Sequence, residues 1–428
     1  MTVGSEESYN LDTDPLTGEA SEANDENSLE TQKRFKSLQY SYLTVYLTVM
    51  GSDWLQGPYL YKLYTTYGLA FDQIALLFLT GFLSGAFAGT ALGSMADSWG
   101  RRKVCMLFCG TTITALCIRL WNVYPVLFLS HMLSGASTAL MYSVFEAWYV
   151  AEHTARGFPA EWRSQTFGHA TFLNGIVAIV AGLVANQLVD LFDISAPYIF
   201  ACMLLSFAAF MISTTWTENY GEPQGTVSGG CFFFFFSLPG TNILLLGCAQ
   251  TFFETSMYVF VLMYTPAIEN AALTIYGYDQ SSTIPLGYLF ATLMFAIMTG
   301  SMVFQTLNRQ SNVPNAPALM RYVTKDRLLI GALFLAGVTM LGLAYHLFEF
   351  TTGIYHPSIS SLKAENIPEE SRAAVMTLLR IPMNIAIAII FWNVSPYPPF
   401  FKKNQGIHPF FDRSMSWANP CSLLCAGS

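Results

Sequence analysis

Charged side chains are scarce in this 428-residue chain, at 11% of its residues, and several of them stand inside long apolar runs. A charge placed there is costly and is usually retained for function. Asp53 and Glu254 are the two acids in such positions. At about 1.5 Å per helical residue, Asp53 lies roughly 20 Å into the first run and Glu254 roughly 17 Å into the seventh. A pair of carboxyls at comparable depth could take up and release protons. They would repel an anion, so proton coupling suits them better than direct anion binding; the structural alternative is an acid tied up in hydrogen bonds. Arg119 and Arg380 are the cations placed to meet an oxyanion, because the planar guanidinium donates hydrogen bonds in pairs. Arg119 is roughly 23 Å into its run, and that depth favours a side chain snorkelling to the outer interface. Asn174, Gln250 and Asn384 are neutral donors that could complete an anion site or join helices to one another. His131, His346 and His356 are scattered without metal-ligand spacing, so no metal or other cofactor is expected. No phosphate loop or nucleophile elbow is present where an enzyme would use it.

Composition defines the medium in which these groups work. Hydrophobic residues make up 53% of the chain and aromatics 15%, with mean hydropathy +0.41. A soluble domain carries about 25% charged residues. The lipid bilayer is therefore the expected partner, nothing points to nucleic acid, and the apolar runs are too long for barrel strands. The net charge of -8 is a local matter: residues 1–32 hold nine acids and no Lys or Arg, and the remainder carries +1. That tail has the composition of a disordered, solvated segment.

The expected fold is all-α and polytopic, two six-helix halves with the second incomplete at its carboxy-terminal end, about ten or eleven spans in all. Residues 1–37 form the acidic disordered tail with a basic anchor, and 38–216 the first half. A Gly-rich linker covers 217–241, and 242–394 form the second half. Residues 395–428 are a non-spanning tail where a twelfth helix would stand. Residues 327–362 are awkward: about 36 residues are too long for one span and short for two at roughly 20 each. A final span covers about Ala374 to Val394.

Two patterns meet between the second and third spans. Gly81, Gly85, Gly89 and Gly93 recur every four residues, one face of a helix along which another helix can come close. Asp97, Gly100, Arg101, Arg102 and Lys103 follow, a basic turn that should stay on the cytoplasmic side. The other Lys and Arg alternate accordingly, which places the amino terminus in the cytoplasm. Glu146, at the end of the fourth span, is expected to pair with Arg101 or Arg102 as a gate.

The spacing Gly93-x-x-x-Asp97-x-x-Gly100-Arg101-Arg102-Lys103 resembles the signature of the major facilitator superfamily between its second and third helices. A narrower resemblance rests on Asp53-Trp-Leu-Gln-Gly-Pro-Tyr-Leu-Tyr-Lys-Leu-Tyr64, on Phe145-Glu-Ala-Trp-Tyr149 with Phe158-Pro-Ala-Glu-Trp162, and on Ile367-Pro-Glu with Arg380-Ile-Pro382. Together these are similar to the molybdate-anion transporter family. The resemblance implies a monomeric plasma-membrane carrier for molybdate or a similar oxyanion, with protons as the candidate coupling ion and no ATP. Where the superfamily often has an Arg early in its fourth helix, this chain has His131. The alternatives left open are another oxyanion such as sulfate, a small sugar, or a transport-inactive sensor or partner protein.

Overall fold

The computed structural model describes residues 15–220, 241–276, 284–311, 324–341, 345–367, 379 and 382–391. These residues form helices and no strand. The first half comprises α1 (Pro15–Gln56), a 3₁₀ turn (Gly57–Tyr59), α2 (Leu60–Thr66), α3 (Phe71–Trp99), α4 (Arg101–Arg119), α5 (Tyr124–Ala155), α6 (Ala160–Leu191) and α7 (Ala196–Thr215). The second half comprises α8 (Thr241–Tyr276), α9 (Leu286–Ser311), α10 (Lys325–Leu341), α11 (Tyr345–Asn366) and the short α12 (Pro382–Phe391).

Side-chain distribution on α7 shows how an apolar helix sits in such a bundle. Tyr198, Ala201, Leu205, Ala208 and Ile212 are fully buried, whereas Ile199, Met203, Phe207 and Phe210 are exposed. Both stripes follow the three- and four-residue spacing of one helix face. The outward stripe is as apolar as the inward one, as a lipid-facing surface requires. Five helices are long and apolar enough to cross a bilayer by length and composition: those containing Phe71–Ala88, Glu161–Leu191, Ala196–Thr215, Thr241–Thr274 and Leu286–Arg309. Helices α1, α4 and α5 fall below that threshold because they carry buried polar residues, among them Gln39, Arg119, Ser130 and His131.

The two halves repeat one packing scheme. In the first, α3 crosses α5 and α5 packs on α4; in the second, α9 crosses α11 and α11 packs on α10. Both crossings are made at glycine. A Cβ on Gly85 would lie 3.1 Å from the Gly135 carbonyl oxygen, and one on Gly135 would reach the Gly85 nitrogen at 3.0 Å. Gly300 and Gly353 meet the facing backbone in the same way, through Phe350 and Ile297. The close approach expected of the glycine stripe is thus present at Gly85. Gly135→Ala should destabilise the protein by about 1–3 kcal/mol, since two backbones must separate. Gly110→Ala, with open space around the new methyl, should be neutral or slightly stabilising. Thermal unfolding in detergent distinguishes the two.

Three boundaries differ from those read from the sequence. The first helix begins at Pro15, so the acidic segment from there to residue 37 is helical rather than disordered. Proline suits the first helical turn, acids are favourable near a helix amino terminus, and Glu30 pairs with Arg34 one turn later at 2.6 Å. Residues 325–366 form two helices, α10 and α11, not a compressed segment. The polar stretch that obscured the second of them is buried. Of the linker, Thr217 to Tyr220 are ordered against the first half, and Thr241 already belongs to α8. Arg380 and residues 395–428 lie outside the described residues, as does the side chain of Asp97.

Candidate functional site

The stretch from Asp53 to Tyr64 ends α1, breaks at Gly57-Pro58 into a 3₁₀ turn, and continues as α2. Proline at the start of that turn cannot donate an amide hydrogen, so the chain changes direction there. The change of direction lets one short segment reach several neighbours. The Trp54 indole donates to Asn174 Oδ1 of α6 at 2.9 Å. The Tyr59 hydroxyl donates to Asn186 Oδ1 at 2.8 Å and accepts from the Gly287 amide at 3.4 Å. Lys62 pairs with Glu269 of α8 at 2.7 Å, and the Tyr64 hydroxyl lies 2.6 Å from His131 Nε2.

At the centre of this segment's contacts is Arg119. It does not snorkel: the residue is 3% exposed. Its Nη1 donates to Gln56 Oε1 at 2.9 Å, Nη2 to Ser134 Oγ at 2.6 Å and Nε to Ser130 Oγ at 3.3 Å. Depth along α4 indicated an interfacial position, but the arginine's bearing around the helix axis turns it onto α1 and α5. All three acceptors are neutral oxygens. Among the described residues no carboxylate is within ion-pair distance of the guanidinium; Asp53 is within electrostatic reach and makes no hydrogen bond of its own. Tyr64, Tyr198 and buried His131 complete the surroundings. His131, the residue standing in place of the superfamily's arginine, therefore sits beside an arginine supplied by another helix.

The second half holds a smaller polar cluster. Gln250 Nε2 donates to Glu254 Oε2 at 3.2 Å, the Tyr355 hydroxyl donates to Glu254 Oε1 at 3.4 Å, and Lys363 Nζ donates to Gln250 Oε1 at 2.5 Å. Glu254 and Gln250 are thus brought together, but not with Arg119. Lys363 is 6% exposed, and Glu349, higher on the same helix, is 4% exposed. Neither was singled out by sequence reasoning, because residues 345–362 read as too polar for a span. Asn384 is half-buried on α12.

Glu146 is not paired with Arg101 or Arg102. It lines a cavity of about 290 Å³ with Tyr42, Tyr46, Met141, Phe167, Ala170 and Thr171, and its nearest cation in electrostatic terms is Arg163. The two arginines are held otherwise. Arg102 donates to the last carbonyls of α7, Ser213 at 2.7 Å and Ile212 at 3.3 Å, while Arg101 donates to the Ala147 carbonyl at 3.3 Å. In return Glu218, from the start of the linker, accepts the Arg102 amide at 2.9 Å. A carboxylate at a helix amino terminus and a cation at a carboxy terminus both satisfy free backbone groups. Gly100 permits this clasp: its φ is +102°, and a Cβ there would stand 2.5 Å from the Glu218 carboxylate. Trp148 stacks on Trp216 at 3.7 Å with nearly parallel rings beneath it. Glu218→Ala should cost about 0.5–2 kcal/mol, the size of a lost helix cap, read as a lower unfolding temperature.

At the end remote from this basic turn the halves are drawn together. Gly182 of α6 meets Gly287 of α9 backbone to backbone, Tyr59 bridges Asn186 to the Gly287 amide, and Lys62 holds Glu269. Leu55, Tyr59, Ala181, Ala185 and Leu286 form an apolar seam there. Two repeated bundles, joined tightly at one end and bordering a cavity toward the other, define a membrane carrier of the major facilitator type. Its fold is similar to that of the nucleoside transporter NupG (12% identity, TM-score 0.69, covering 89% of this chain and 96% of that one). It is also similar to the inward-open xylose transporter XylE from E. coli (11%, TM-score 0.57, 91% and 95%). A family model described as sugar transporters with 12 transmembrane segments matches residues 18–344. The molybdate-anion transporter of Xenopus tropicalis is 32% identical over 367 residues, 82% of this chain and 77% of that protein. The transporter of the same name from Takifugu rubripes is 31% identical over 395 residues, 84% and 80%. The chain belongs to the molybdate-anion transporter family of the major facilitator superfamily.

Proposed function

We propose that this protein is a secondary carrier that brings molybdate into the cell across the plasma membrane, as a monomer with its amino terminus in the cytoplasm, and that protons accompany the anion. The observation that carries the reading is Arg119: a buried guanidinium held by three neutral oxygens, with no carboxylate in ion-pair contact among the described residues. A positive charge so placed attracts an anion, and its fork matches two oxygens of a tetrahedral oxyanion. A neutral sugar would leave that charge without a counter-ion. The names of the relatives agree with the anion reading. Asn174, Gln250, Asn384 and Arg380 are the further candidates for contact as the halves rock.

Asp53 supplies the coupling. An ionised carboxylate within electrostatic reach of the same arginine competes with an arriving dianion. A proton on Asp53 removes the competition, so anion and proton enter together. Glu254, hydrogen-bonded to Gln250 and Tyr355, is the second coupling candidate. The clasp between the basic turn and the linker holds α4 and α7 as one body during the motion. The test is molybdate uptake by cells lacking their own carrier, with sulfate as competitor. Uptake reduced by unlabelled molybdate and not by an equal concentration of sulfate supports the proposal. Normal surface expression with no uptake contradicts it.

A further inference from the structure

Glu349 belongs to none of the groups assigned so far. It lies on α11, which packs against α8, α9 and α10, and is 4% exposed. Among the described residues it makes no hydrogen bond and no ion pair. The group facing it from α8 is the hydroxyl of Tyr264; Glu269, further along α8, is engaged by Lys62. On α9 the titratable residues are Tyr288, bound to Gln187, and Arg309 at the basic end. On α10 they are Lys325, Asp326 and Arg327, also at the basic end. On α11 itself, His346 is turned away to Thr292 of α9 at 2.9 Å, and Lys363, far along the helix, donates to Gln250. Tyr345, Tyr355 and His356 are the remaining titratable neighbours on that helix, and the last two sit by Glu254. Among the described residues, no cation faces Glu349.

Tyr264 ties this acid to the closed end. Its hydroxyl is within electrostatic reach of Tyr59 and of Tyr198. Tyr59 makes the Asn186 and Gly287 contacts that join the halves, and Tyr198 in turn neighbours Arg119. Closing this end seals the Glu349 carboxyl among aromatic rings, where an ionised group would stand without a counter-charge. Opening it returns the carboxyl to water.

We propose that Glu349 is a proton-operated lock on the end remote from the basic turn: protonated, it allows the halves to close there, and ionised, it keeps them apart. The proton binds a carboxylate oxygen from the adjacent aqueous medium while that end is open. It returns to the same medium when the end reopens. The lock rests on the reading of the chain as a rocking carrier and is independent of its substrate.

The test places a reporter thiol in the closed seam, Ala185→Cys, a position fully buried in this conformation. Its modification by a membrane-impermeant thiol reagent is followed from pH 5 to 9, against the parent protein as background. No substrate is needed, so failure of molybdate uptake would leave this test intact. With Glu349 present, the modification rate should rise with pH, its slope approaching about tenfold per pH unit, since one proton is linked to closure. Adding Glu349→Gln, or Glu349→Met if the amide is not accommodated, should leave the rate low and flat. A flat profile in the Ala185→Cys protein overturns the proposal. So does an unchanged slope in either Glu349 variant.

Discussion

Replacing Arg119 by glutamine is expected to reduce molybdate uptake by at least about 100-fold, the equivalent of roughly 3 kcal/mol, while leaving the protein folded and at the membrane. The buried cation would be gone, and with it the only described charge in the first half's polar cluster able to attract an oxyanion. The fold should survive because the partners keep other bonds. Ser130 Oγ still donates to the Ala115 carbonyl at 2.8 Å, and Gln56 Nε2 to the Ser52 carbonyl at 2.9 Å. Lysine is not a conservative replacement: Gln56, Ser130 and Ser134 are reached by three separate nitrogens of one planar fork, which an ammonium cannot span. Arg119→Lys should therefore lose most of the uptake as well, about tenfold or more. Initial rates of labelled molybdate uptake, normalised to surface protein, measure both. Equal uptake by wild type and Arg119→Gln would remove the arginine from the transport site.

The second large effect is expected at Asp53. In Asp53→Asn the position is permanently neutral, so the anion no longer needs a proton to approach Arg119. Downhill uptake should persist, whereas accumulation driven by an imposed pH gradient should disappear. The wild type, under the same acid-outside gradient, should concentrate molybdate severalfold; each pH unit can drive about tenfold accumulation for one proton carried. The measurement is the internal-to-external ratio at steady state. This readout is separate from the pH dependence assigned to Glu349, which concerns the rate at which the far end opens. An Asp53→Asn protein that still accumulates molybdate to the wild-type ratio would shift the coupling role elsewhere, with Glu254 the next to be replaced.

Features that depend on spacing along one element are legible in the order of the residues alone. The four-residue glycine rhythm from Gly81 leads directly to the α3–α5 crossing at Gly85. The motif from Asp53 to Tyr64, which carries the narrower resemblance, is the segment whose side chains reach α5, α6, α8 and α9. What escapes is azimuth and partner choice. Depth places Arg119 near the end of its helix, but not on the side facing Gln56 and the two serines. Glu146 and the basic turn share one end of the molecule, yet the turn's arginines bind backbone carbonyls of α5 and α7. Hydropathy hides Lys363 and Glu349, because the polarity that makes α11 look unlike a span comes from buried groups. The Glu218 clasp lies in a Gly-rich stretch that reads as a plain spacer. Its meaning depends on Gly100, distant in sequence, leaving room for a carboxylate.

Purified protein in sealed liposomes, with no other carrier present, offers the most direct measurement of the central claim that the Arg119 site carries molybdate across a bilayer. The expected result is uptake of labelled molybdate that saturates, is accelerated by an acid-outside gradient, is displaced by unlabelled molybdate more readily than by sulfate, and is lost in Arg119→Gln. Uptake no greater than in protein-free liposomes, from a preparation that retains its folded unfolding transition, would contradict the claim.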